Sequence, residues 1–222
     1  PLLNGVPWWF LAERNQALAS VDPDGAITAA LPLPQVIGSV VHASSTSPEP
    51  GVIRHVSGNG LILGEPAGGP SGRLDQMVAL FDGAGFSASA SPRIHRDIWY
   101  KLWGNMTMNP ISAITGMTCD AILDDEAVEG FILRIMEEAL EIGARIGCAI
   151  EQTPEDRFAV TRKLGAFKTS MLQDVEGGRA IELDALLGAV REIGSRVGAP
   201  TPTIVALYGL TRLFGQVKGV YV

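Results

Sequence analysis

Little in this chain invites metal or disulfide chemistry. Its 222 residues hold two cysteines and three histidines. Cys119 and Cys148 belong to no CxxC pair, and His42, His55 and His95 are scattered, so neither a zinc site nor a disulfide framework is expected. The cysteines read as small buried hydrophobes of a protein in the reducing cytoplasm. No run of about 18 uncharged apolar residues occurs, so no membrane span is expected. No basic stretch followed by an apolar one opens the chain, as a secretory leader would. Positive charge is also in deficit: 17 Lys and Arg stand against 24 Asp and Glu, a net charge of −7. That balance argues against non-specific nucleic-acid binding, which needs a basic footprint. With 46% hydrophobic and 18% charged residues, the chain carries enough apolar surface for a sizeable core and too much for disorder. Pro1 is not an initiator methionine, and Leu2-Leu3-Asn4-Gly5 reads as the end of a strand entering a turn, so the natural protein is expected to begin upstream.

What is present divides into two compositional halves. Up to about residue 95 the chain is rich in Gly, Pro, Ser, Val and Ile, with short apolar runs. Ile37-Gly-Ser-Val-Val-His-Ala43 is β-branched and short, as a buried strand should be. Leu61-Ile-Leu63, bracketed by Gly58-Asn-Gly60 and Gly64, is a second candidate strand, and Gly51-Val-Ile-Arg-His-Val56 is expected to pair with it as a hairpin. Helical spacing of Leu74, Met77, Val78 and Phe81 predicts a helix over 71–83, and Phe86–Ala90 a weak strand. From Arg93 the pattern turns helical. Val128, Phe131, Ile132, Ile135, Met136, Ala139 and Ile142 predict one helix over 124–147. Thr153-Pro154-Glu155-Asp156 has the form of a helix start and predicts a helix running towards Phe167. Leu186, Leu187, Val190, Ile193 and Val197 predict another over 182–197, stopped by Gly198, and Thr201-Pro202 opens a last one through Phe214. Gly177-Gly178 interrupts this helical half.

Two clusters within it carry chemistry. Lys101, Asn105 and Asn109 recur at i, i+4 and i+8, within roughly an 80° arc of one helix face. One cation and two amides line up there, flanked by Trp99, Trp103 and Met106. An ammonium can protonate a developing alkoxide while amides orient a carbonyl or hydroxyl beside it. The same spacing suits a solvated stripe ended by Asn109 before Pro110. The second cluster joins Ser170-Met-Leu-Gln-Asp174, Gly177-Gly178-Arg179 and Glu182-Leu-Asp184. It reads equally as a helix end, a turn and a fresh acidic helix start, or as a hydroxyl for an anion plus a carboxylate that would keep Lys101 charged.

Taken together, Lys101-Leu-Trp-Gly-Asn105-Met-Thr-Met-Asn109-Pro110, Ser170-Met-Leu-Gln-Asp174, Glu182-Leu-Asp184-x-Leu-x-Gly188 and Asn4-Gly5-Val6-Pro7 resemble the ketopantoate reductases (2-dehydropantoate 2-reductases). The resemblance spans nearly the whole chain, in order. It implies an α/β part followed by an all-α part: residues 1–93 as the C-terminal portion of a Rossmann-like NADP-binding domain, and 94–222 as an all-helical substrate-binding and catalytic domain. It implies NADPH-dependent reduction of ketopantoate to pantoate, a step towards coenzyme A. By the same resemblance Lys101 is the catalytic general acid, and Glu182 supports it and the substrate. Asn105 and Asn109 hold the substrate's hydroxyl and carbonyl groups, Ser170 binds its carboxylate, and Asn4 lies near the nicotinamide. The expected partners are a small 2-oxo acid and, through long apolar helices, a second copy of the chain.

Departures from the family pattern are specific. No GxGxxG turn for the pyrophosphate is present; Gly64-Glu-Pro-Ala-Gly68-Gly69 reads as a turn after a strand. The family's layout implies an upstream part on the order of 90 residues, two to three βα units, so the chain as given is not expected to bind NADPH in the usual way. The family's Thr before the glutamate is Ile181 here and its Asn before the glycine is Leu187, both expected beside the substrate. Two alternatives follow: a reductase of a related 2-oxo acid, or a non-catalytic helical dimerisation module. Trp8-Trp9 either caps a pocket or packs.

Overall fold

The computed structural model describes residues 5–11, 16–163 and 165–221. Leu2, Leu3 and Asn4 lie outside the described residues, and with them the expected strand end and the expected cofactor-side amide. A short helix α1 (Ala26–Ala30) and a 3-10 turn (Leu33–Gln35) lead into a three-stranded sheet of order β1-β2-β3. β1 (Gly38–Glu49) and β2 (Val52–Gly64) are antiparallel, while β3 (Ser87–Ala90) runs parallel to β2. The parallel pair is bridged by α2 (Gly72–Gly83), capped by the Ser71 hydroxyl. This βαβ unit is the building block of a Rossmann-like sheet.

The hairpin expected within residues 51–63 is not formed. Residues 52–64 make one strand, which pairs instead with β1 around a turn at Pro50-Gly51. The sequence signal that misled was Gly58-Asn-Gly60, which reads as a turn. Gly58 does adopt a left-handed φ of 70°, but as a bulge: the ladder slips between His42 and Ser44, opposite Ser57. A bulge needs one residue in that conformation and leaves the strand running on. The Gly64–Gly69 segment turns after β2, as expected.

The helical part begins with α3 (Ile94–Thr115). The expectation that Asn109 ends it before Pro110 is overturned, since the helix runs through Pro110 and stops only at Gly116. Proline here removes one N–H, the partner of the Met106 carbonyl. The loss is tolerated because Trp103, Met106, Met108, Ile111 and Ala113 are all buried on the same helix, and tertiary burial overrides local propensity. There follow α4 (Cys119–Leu123), α5 (Glu126–Arg145), α6 (Pro154–Arg162), α7 (Ser170–Glu176), a π-helical turn (Asp184–Gly188), α8 (Ala189–Arg196) and α9 (Pro202–Lys218).

Caps explain most of these boundaries. Asp125 accepts from the Ala127 and Val128 N–H groups at the head of α5, and Thr153 with Asp156 forms a reciprocal capping box on α6. α6 ends at Arg162 rather than near Phe167. Gly165, at φ 63°, turns the chain, and the Phe167 carbonyl then accepts the Cys119 N–H at 3.0 Å. Thr201 offers α9 no side-chain cap. Glu138 of α5 replaces it, its carboxylate taking the Thr203 and Ile204 N–H groups at 2.8 and 3.0 Å. One continuous apolar cluster joins Trp8, Trp9 and Val40 of the first half to α3, α5, α8 and α9. Cys119 and Cys148 are both buried within it, and burial pushes the Cys119 thiol up to about 11. No described helix is long and apolar enough to cross a membrane.

A side chain at position 58 would meet both a left-handed backbone and the His42 carbonyl. Gly58→Val is therefore expected to cost about 1–3 kcal/mol. Thermal melting should show this as a drop of roughly 2–4 °C per kcal/mol for a chain of this size.

Candidate active site

α3 is the element that gathers the expected site. Its long run through Pro110 keeps Lys101, Asn105 and Asn109 on one uninterrupted helix. The face is not a solvated stripe: Asn109 is buried at 6% exposure, and Lys101 and Asn105 are half-buried. Neither asparagine side chain hydrogen-bonds to any described residue, so both amides are available to a ligand.

Lys101 reaches across to the sheet, where its Nζ donates to the Val41 carbonyl of β1 at 2.6 Å. Desolvation lowers its pKa below the usual lysine value and the Arg157 charge lowers it further, while the Glu182 carboxylate pulls it back up. An ammonium poised this way releases its proton more readily than one in water. Glu182 thus lies within electrostatic range of Lys101. It is half-buried, immediately ahead of the π-helical turn. Ser170 stands at the first position of α7, exposed, behind the Thr169 cap. α7 packs along α3, as does the π-helical turn.

Lys101 also marks one end of a cleft of about 360 Å³, walled by Pro7, Trp8, Trp9, Val36, Ile98 and Leu102 among others. Asn105, Asn109, Ser170 and Glu182 are not part of its lining. The lysine is the point at which the cleft on the sheet side meets the polar face of α3. Trp8 and Trp9 do both things expected of them: each is buried at 4% exposure and each lines the cleft. Trp9 also packs edge-on against His95, with ring centroids 5.2 Å apart.

The π-helical turn fixes the Gly5-Val6-Pro7 segment to the helical part. Its Ala185 carbonyl accepts the Val6 N–H at 2.9 Å, and any side chain at Gly5 would overlap the Ala185 backbone. The turn is itself anchored: Asp184 accepts the Tyr208 and Tyr221 hydroxyls at 2.8 and 2.9 Å. Ile181 and Leu187, expected beside the substrate, are both buried. Leu187 is fully buried, and Ile181 packs against Gly215 and donates its N–H to the Val220 carbonyl. Two residues of this region carried no sequence signal of a role. His42, on β1, and Arg157, on α6, both lie within electrostatic range of Lys101. Desolvation lowers the His42 pKa, Lys101 and Arg157 lower it further, and Asp97 opposes them. Neither belongs to a motif, and only folding brings them to α3.

A βαβ sheet packed onto a helical body, with a half-buried ammonium on the helix that meets the sheet, is the architecture of the Rossmann-plus-helical-domain class. Comparison with known proteins makes the assignment specific. Residues 93–214 match the family described as ketopantoate reductase PanE/ApbA C terminal. A 2-dehydropantoate 2-reductase of Mesorhizobium japonicum is 42% identical, over 98% of this chain and 68% of its own. A protein of Ralstonia solanacearum MolK2 assigned to the ketopantoate reductases superposes with a TM-score of 0.95 at 57% identity, over 98% of this chain and 68% of its own. The chain belongs to the ketopantoate reductase family. It spans about two thirds of the length of these relatives, and 59% of a more distant 2-dehydropantoate 2-reductase of Halobacterium salinarum that is 26% identical.

Removing the carboxylate of Asp184 leaves two partly buried phenols without their acceptor. Asp184→Ala is expected to destabilise the fold by about 1–3 kcal/mol. In urea unfolding, this should appear as a lower midpoint with an unchanged slope.

Proposed function

We propose that the protein bearing this chain reduces ketopantoate (2-dehydropantoate) to pantoate with NADPH, on the route to coenzyme A. The observation that carries this reading is Lys101: a desolvated ammonium within range of a carboxylate, on one helix face with two unengaged amides, in a family whose curated relatives bear that activity. Residues 1–93 are read as the end of an NADP-binding domain, and residues 94–222 as the domain that binds substrate.

The roles follow from the chemistry. NADPH, when bound, supplies the hydride. The cleft suits its nicotinamide end: Pro7, Trp8 and Trp9 give it a largely apolar lining, to which Lys101 adds a cation. With Asn4, those residues would lie beside the ring. Negative charge then develops on the substrate's carbonyl oxygen, and Lys101 neutralises it by giving up a proton from Nζ. Glu182 keeps that amine protonated before the step. Asn105 and Asn109 present amide donors and acceptors to the carbonyl and to the remote hydroxyl, and Ser170 gives a hydroxyl to the carboxylate. A panel of branched 2-oxo acids, read by NADPH oxidation, separates ketopantoate from a relative. We further propose that the protein works in the cytoplasm and pairs with a second copy through α9, where Val205, Leu210, Leu213 and Val217 are exposed.

Lys101→Ala in the whole protein is expected to lower ketopantoate-dependent turnover by about two orders of magnitude or more; undiminished turnover would remove the lysine from this role. Because the protonated amine is the working form and its pKa is lowered, the rate should fall as pH rises, with the alkaline limb setting in below the ordinary lysine value of 10.5. Sedimentation equilibrium should give a dimer that Leu213→Glu dissociates; a monomeric wild type would dismiss the pairing.

A further inference from the structure

Arg157 is a cation in an unusual position. It sits in the middle of α6 and reaches back to α3, where its guanidinium lies over the Tyr100 ring, 5.3 Å from the centroid. Its other side rests on Gly104, so closely that even a methyl group there would collide with it. The aromatic face and the missing side chain form a seat for a planar cation, one that a lysine would not fill in the same way. The seat lies on the turns of α3 that carry Lys101 and Asn105, at Tyr100 and Gly104. It is near enough to Lys101 and His42 for the guanidinium charge to act on both.

Such a position normally comes with a counter-ion. Among the described residues Arg157 has no ion pair and no side-chain hydrogen bond, and its Nε is shielded from solvent without an acceptor. Asp156, its neighbour on α6, closes the capping box of that helix, and Asp97, which acts on His42, accepts the Ser91 hydroxyl. Arg157 and Lys101 repel, a repulsion that Glu182 opposes at the lysine, and a desolvated N–H without a partner is a further cost. An anion held by the guanidinium would relieve both. The rigid fork of a guanidinium matches a carboxylate, which takes two parallel N–H bonds. Ser170, the hydroxyl the resemblance assigns to the carboxylate, brings a neutral donor and leaves the charge uncompensated.

We infer that Arg157 is a second anion-binding residue of this site, which grips the carboxylate of the 2-oxo acid while Lys101 serves the carbonyl oxygen. The inference rests on the proposed 2-oxo-acid reading, and its test is built so that the two can fail separately. Oxalate, an unreactive dicarboxylate with the shape of an oxo-acid head, is titrated calorimetrically into the protein. Arg157→Gln is expected to weaken its binding by about 10- to 100-fold, the usual effect of losing a charged hydrogen-bonded pair. Arg157→Lys should restore only part of the affinity. Gly104→Ala, which keeps the charge but pushes the guanidinium off its seat, should also weaken binding while melting like the wild type. Equal oxalate affinity in wild type and Arg157→Gln overturns the inference, as does a wild type that fails to bind oxalate. Turnover is measured alongside. Arg157-dependent oxalate binding in a protein that reduces no 2-oxo acid leaves the anion site standing and removes the proposed reaction. Reduction of ketopantoate with an oxalate affinity indifferent to Arg157 does the opposite.

Discussion

The burial of α3 is the constraint on which the rest of this molecule depends. Ile94, Ile98, Trp99, Leu102, Trp103 and Met106 are all enclosed, by the sheet on one side and by α5, α7 and α9 on others. Trp103 even finds its hydrogen-bond acceptor in the Met136 carbonyl of α5, at 3.0 Å. A helix so enclosed can carry a polar residue only where a neighbouring element leaves a gap. Lys101 occupies such a gap, and its amine must find something to bond. At rest that is the Val41 carbonyl.

That enclosure also sets the electrostatics. Away from water, charges act on one another strongly. The ammonium of Lys101 therefore responds to Arg157 and Glu182 in opposite directions, and His42 responds to both cations. None of this needs a special residue. An ordinary lysine acquires an unusual pKa because an apolar helix carries it inward and two other segments bring Arg157 and Glu182 to it.

The extent to which the sequence foretold this follows from the range of each interaction. Local rules worked where the determinants were local: Thr153-Pro154 gave the start of α6, the spacing of Ile132, Ile135, Met136 and Ile142 gave α5, and Gly198 lies just beyond α8. They failed where a distant element decided. Pro110 should break a helix, but its surroundings hold α3 together. Gly58-Asn-Gly60 should be a turn, but pairing with β1 makes it a bulge. The cap of α9 comes from Glu138, a residue of α5 that no reading of Thr201-Pro202 would find. At the site, Lys101, Asn105 and Asn109 were legible as a helical face. The approach of Glu182 was one of two readings of its segment, chosen by resemblance, and Arg157 was not legible at all, since its relation to Gly104 exists only after α6 has packed.

The π-helical turn has a consequence for how this chain can vary over time. Its Ala189 N–H bonds back to the Asp184 carbonyl, so the turn holds one residue more than a regular helix would. Such a turn absorbs its extra residue locally, so deleting one residue between 184 and 188 would restore ordinary winding and leave the segments on either side close to their present orientation. The Ala189 N–H, which now bonds to Asp184, would instead take the Ala185 carbonyl, and the Val6 N–H would lose its acceptor. Homologous chains should therefore tolerate substitutions in this stretch far better than changes in its length, and alignment gaps should fall outside it.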